Sequence, residues 1–185
     1  SIALFFLSDF LKENFMPTEK FTFSVKIFFY NILFCAISLI AIFGLNLVFA
    51  KIAKTQDVTN TIKKTLDTKT ILKQTLQIVF AATYEEILYR KYCINRLTII
   101  FSFFSKKSLP QNLQEKSRFS YAILILAVVI SSLFFALAHL YIGFLGVLFS
   151  FFSALVFSLL YTKTKNVIYP CLCHIIYNLV VFYLF

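Results

Sequence analysis

Charge is what this sequence holds least of. Only 14% of its 185 residues are charged, and three stretches carry no Asp, Glu, Lys or Arg: Ile27 to Ala50, Phe119 to Thr162 and Asn166 to Phe185. Each reaches or exceeds the ~20 apolar residues that cross ~30 Å of hydrocarbon as a helix. Hydrophobic residues make up 60% of the chain, against roughly half in soluble domains. A water-soluble fold is therefore excluded, and lipid must be part of the solvent.

Other absences narrow the field further. Ser1 to Leu11 is apolar but lacks the basic start and the cleavage site of a secretory leader. There is no internal repeat and no soluble domain. The four cysteines, Cys35, Cys93, Cys171 and Cys173, do not pair at zinc-site spacing. They read as small apolar packing residues. The net charge of +10 would suit nucleic acid, but its basic residues gather in two loops, Lys51 to Lys73 and Lys91 to Arg118. There they meet anionic lipid headgroups, so the bilayer rather than nucleic acid is the expected partner.

What is present is an all-α pattern: a polytopic transmembrane bundle of about five or more helices with a buried polar site, one membrane domain over residues 1–185. Ser1 to Lys26 reads as a short apolar or interfacial segment with a polar turn at Pro17. Helices are expected over Ile27 to Ala50, from Ile71 towards Phe104, over Phe119 to His139, over Ile142 to Thr162, and from about Pro170 to the end. Polar connections fall at Lys51 to Thr70 and Ser105 to Ser117. Both loops flanking the second helix are basic, so the positive-inside rule assigns no orientation. Lys outnumbers Arg and Phe, Ile and Asn are abundant, a bias that suits an AT-rich genome. The expected location is the cytoplasmic membrane of a low-G+C bacterium.

The acidic residues carry the most information. Six of eight, Asp9, Glu13, Glu19, Asp57, Asp67 and Glu115, lie in polar loops or near the N-terminus. The other two, Glu85 and Glu86, are adjacent within the apolar run IVFAATYEEILY. Each charge inside a membrane helix costs about 2.5–3.5 kcal/mol even on a lenient scale. Arg90 stands four residues after Glu86, on the same helix face, while Glu85 is turned ~100° away and is left for another partner. The chain has only two histidines, and both end apolar segments. His174 shares a face with Asn178, and Phe135 precedes His139 by the same four-residue step. A bundle hides such groups from lipid by turning them towards one another. Glu, His and Asn gathered in a wet cavity supply a water activator and donors for an oxyanion.

In their order, Glu85-Glu86-x-x-x-Arg90, Phe135-x-x-x-His139 and His174-x-x-x-Asn178 resemble the three motifs of the CPBP family, the CAAX protease and bacteriocin-processing (Abi) peptidases that include the type II CAAX prenyl proteases. The Tyr161 to Pro170 lead-in is similar to the turn before that family's last motif. The resemblance covers residues 75–185, leaves no motif position substituted, and finds no signal in residues 1–70. It implies an intramembrane endopeptidase in which Glu85 and His139 activate water. Glu86 and Arg90 would be a supporting pair, His174 and Asn178 would stabilise the oxyanion, and Phe135 would shape the pocket. The family's metalloendopeptidase label implies zinc as a candidate cofactor, with Glu85, His139 and His174 as its ligands if it is bound. The chain has no His-Glu-x-x-His helix, however, and a glutamate-dependent mechanism without metal also suits the motifs. The expected substrate is a membrane-associated peptide or lipopeptide cut near the interface. The alternative is a non-catalytic binding or immunity protein, giving bacteriocin or phage resistance on the same fold.

Overall fold

In a computed structural model the chain is an all-α bundle, described over residues 25–53, 68–105 and 113–184. The expected segment around Pro17, residues 54–67 of the first basic stretch and residues 106–112 of the second lie outside these residues; the rest of the second stretch, expected as a loop, is helical up to Ser105 and again from Leu113. Five helical rods are described. The first is α1, Val25–Ala53. The second runs without a break through α2, Thr68–Glu86, a π-helical turn, Ile87–Cys93, and α3, Ile94–Ser105. Then come α4, Leu113–Leu137, α5, Gly143–Thr164, and α6, Ile168–Leu184.

Among the described residues, three helices are long and apolar enough to cross a membrane, spanning Val25–Ile52, Phe119–Leu137 and Leu140–Thr164. Apolar α6 is shorter, and the rod with the glutamates carries charge. Only 11% of the α1 span is buried; Ile40 and Leu47, for example, point outward. A helix apolar all round and left bare is solvated by lipid. This is an integral membrane protein.

The centre of the bundle is α5, which packs on α1, α4, α6 and the π-helical turn. One apolar cluster joins Ile42 of α1, Phe157 and Leu160 of α5 and Cys173 of α6. A second joins Ile94 of α3 to Ala127 and Val128 of α4. Small polar residues, Ser132 on α4 and Ser158 on α5, are fully buried. Lipid removes the hydrophobic drive between helices, so close approach of small residues carries more of the association.

Three local features position the polar site. First, the π-helical turn leaves backbone carbonyls out of the α-helical ladder, and Ser131 Oγ donates to one of them, Tyr89 O, at 2.6 Å. Second, α4 ends at Leu137, before the expected His139. The His139 amide reaches back only three residues to Ala136 O at 2.9 Å, and the Ile142 amide to His139 O at 3.1 Å. The chain thus reverses within a few residues, helped by Gly143 at φ 81°, where a side chain would be strained. Third, α5 stops at Lys165, whose φ of 54° is left-handed. Asn166 Oδ1 then accepts the Ile168 amide at 2.9 Å and opens α6. Pro170 sits in that first turn, where an amide hydrogen would have no helical partner.

Candidate active site

The two adjacent glutamates close α2 and point in different directions. Glu86 is sealed, with 0% exposure, between two partners. Its Oε2 stands 3.0 Å from Arg90 Nε, also fully buried. The two atoms do not meet along the N–H axis, so this contact is an ion pair rather than an aligned hydrogen bond. Its Oε1 meets His174 Nδ1 of α6 at 2.9 Å. The Arg90 Nη atoms have no hydrogen-bond partner among the described residues. The guanidinium instead lies 4.5 Å from the Phe135 ring centre and 5.6 Å from that of Phe157, a desolvated cation–π arrangement worth about 2 kcal/mol.

Glu85, by contrast, is 26% exposed and faces a cavity of about 580 Å³. That volume is in the range of small-molecule and peptide-side-chain sites. His139, His174, Asn178 and Phe135 line the same cavity. The structure therefore brings together Glu85, His139, His174, Asn178 and Phe135 around one space, with Glu86 and Arg90 packed behind it. Glu85 Oε2 lies 3.9 Å from His174 Nε2, so the nearest imidazole recorded for Glu85 is that of His174. Glu86, expected as the partner of Arg90, meets that residue and also holds His174.

The histidines are held in defined orientations. His139 Nδ1 lies 2.8 Å from Phe135 O. A carbonyl only accepts, so Nδ1 carries the proton and Nε2 is left as an acceptor for the cavity. His174 is fixed by Glu86 at Nδ1 and stacked on Phe157 with ring centres 5.0 Å apart. Phe135 contacts both imidazoles, at 4.6 Å from His139 and 6.1 Å from His174.

The donors do not fit a zinc site. Among the described residues no three His, Cys, Asp or Glu side chains are grouped so as to hold a metal ion. Glu86 is also already committed to Arg90 and His174. Glu85, His139 and His174 thus share a cavity without forming a ligand triad.

Several lining residues escape sequence reasoning. Phe157, wedged between Arg90 and His174, is one of 25 phenylalanines and nothing local marks it. Ser150 and Ser153 line the cavity from α5; their spacing in a charge-free stretch of that helix is the one signal that they share a face. Tyr177 also lines the cavity, between Phe43 and Phe149. A more open hollow of about 750 Å³ lies along α2 between Lys69 and Ala81. It presents lysines, a glutamine and apolar side chains, with none of the acid–base groups.

A family model described as type II CAAX prenyl endopeptidase, Rce1-like, matches residues 67–180. No curated protein and no solved structure matches this chain.

Proposed function

The chain belongs to the Rce1-like type II CAAX prenyl endopeptidase family, and from that footing we infer that it hydrolyses a peptide bond near the membrane interface with water activated by Glu85 and His139. One observation carries the reading. Of two adjacent glutamates, one is consumed by buried partners, and the other faces a cavity lined by both histidines of the chain.

In this reading a water between Glu85 and His139 Nε2 loses a proton to the Glu85 carboxylate and attacks the scissile carbonyl carbon. Negative charge then collects on the carbonyl oxygen. The Asn178 amide donates to it, and so does His174 from Nε2 when doubly protonated, its ring already aimed by Glu86 at Nδ1. When the C–N bond breaks, the proton held by Glu85 passes to the leaving amine, which restores the carboxylate. Glu86 and Arg90 touch no reacting atom; they are positioning residues for His174 and for the helix end that presents Glu85. Phe135 and Phe157 keep both imidazoles in place and exclude water from the back of the site.

The substrate class proposed is a membrane-associated peptide or lipopeptide, reached in the cytoplasmic membrane of a low-G+C bacterium. Comparing the membrane proteomes of cells that carry wild type or Glu85→Ala tests this. An uncut precursor that accumulates only with Glu85→Ala is the expected result. Identical processing in both strains, with both proteins present in the membrane, overturns it.

A further inference from the structure

Many described hydroxyls of this bundle find a carbonyl, Ser131 that of Tyr89 and Thr162 that of Leu159. Thr75, Thr83, Thr98 and Thr164 each donate back to the carbonyl four residues earlier, at 2.7–2.9 Å, the usual refuge for a hydroxyl inside a helix. Ser153 does not. It is 5% exposed, lines the cavity, and its Oγ has no hydrogen-bond partner among the described residues. Ser132 and Ser158 are likewise buried and unpartnered, but neither lines the cavity. Ser150, three residues before Ser153, is 5% exposed and lines the same wall.

An unmet buried hydroxyl disfavours the folded state, and at the edge of a cavity a ligand can relieve it. The spacing identifies what kind. Side chains three residues apart on a helix stand about 5–6 Å apart, close to the ~6.4–6.8 Å between alternate backbone groups on one edge of an extended chain. A peptide drawn into a membrane cavity loses water from every backbone amide and needs replacement partners. Ser153 also lies one helical turn from Phe157, whose ring is stacked on His174, so this wall leads directly to the reacting groups.

We propose that Ser153 and Ser150 form a substrate-positioning ladder on α5, hydrogen-bonding alternate backbone amides along one edge of an extended peptide as it lies beside Glu85. This rests on the peptidase reading only in supplying a peptide as the occupant. Binding is a ground-state property, so the ladder acts chiefly on Kd and KM and little on the chemical step.

The test uses the full-length protein in lipid nanodiscs and a fluorescent farnesylated peptide with a free C-terminal carboxylate as probe. Binding is measured on a Glu85→Gln background and cleavage on a Glu85 background, each with Ser153→Ala, Ser150→Ala, Ser132→Ala or Ser158→Ala added. Ser153→Ala is expected to raise Kd and KM about tenfold without lowering Tm, since the hydroxyl removed has no hydrogen-bond partner among the described residues. Ser150→Ala shifts Kd in the same direction, and Ser132→Ala and Ser158→Ala leave it unchanged. N-methylation of the contacted amide in the probe should abolish the difference in Kd between the protein that keeps Ser153 and the Ser153→Ala variant. An unchanged Kd in Ser153→Ala, an equal rise in Ser132→Ala, or no binding of the probe at all overturns the ladder. Serine-dependent binding without cleavage by the Glu85 protein upholds the ladder and overturns the peptidase reading instead.

Discussion

Glu85 and Glu86 are neighbours in sequence, yet they belong to two different regions of the molecule. Glu86 faces a dry interior where an arginine and a histidine meet it, the arginine in turn lying over two phenylalanine rings. Glu85 faces the cavity, about a quarter exposed, 3.9 Å from an imidazole nitrogen. A rotation of ~100° per residue is enough to put adjacent side chains on opposite sides of a helical wall. In the proposed mechanism the buried side holds the fold and the open side carries the chemistry. The two are joined by His174, which Glu86 holds at Nδ1 and whose Nε2 lies 3.9 Å from Glu85.

Substitutions separate the two roles. The largest effect is expected on the open side: Glu85→Gln should lower kcat about 10²–10⁴-fold, the usual contribution of a general base, as read from single-turnover cleavage in nanodiscs. On the sealed side the loss is in stability. Glu86→Leu or Arg90→Met leaves an unpaired buried charge and should cost about 3–5 kcal/mol, measured by thermal or chemical unfolding in detergent. The double replacement should cost less than either alone, because no charge is then stranded. If the costs simply add, the ion pair is not what holds this region.

Smaller effects sharpen the boundary between the regions. Ser131→Ala removes the donor to the Tyr89 carbonyl in the π-helical turn and should destabilise by about 1–3 kcal/mol, with faster amide exchange confined to residues 87–93. Lys165→Gly, at the C-terminal end of α5, relieves a left-handed φ that costs a non-glycine residue about 1–2 kcal/mol. Against glycine's extra flexibility of about 0.5–1 kcal/mol, the net expectation is a rise in Tm of a few degrees or less, with cleavage unchanged.

What was legible in the sequence follows the range of the interactions involved. All the helical rods but the one with the glutamates follow from long charge-free runs, and the Glu86–Arg90 pair from a four-residue step on one helix face, both local properties. The attachment of His174 to Glu86 joins residues 88 positions apart, and no periodicity encodes it. The same holds for Phe157, whose place beside Arg90 and His174 depends on how α5 packs against the π-helical turn. His139 was legible as a helix-end residue, but not its hydrogen bond to Phe135 O, which depends on α4 stopping two residues early. The cavity faces of Ser150 and Ser153 look like ordinary small-residue packing until the space beside them is seen.

The central claim is that Glu85 serves the reaction and Glu86 serves the fold. It is tested most directly by measuring peptide cleavage and thermal unfolding on the same nanodisc preparations of Glu85→Gln and Glu86→Leu. The account predicts that Glu85→Gln keeps the wild-type Tm while cleavage collapses, and that Glu86→Leu shows a clearly lowered Tm. A Glu85→Gln protein that cleaves at the wild-type rate, or a Glu86→Leu protein as stable as wild type, would contradict it.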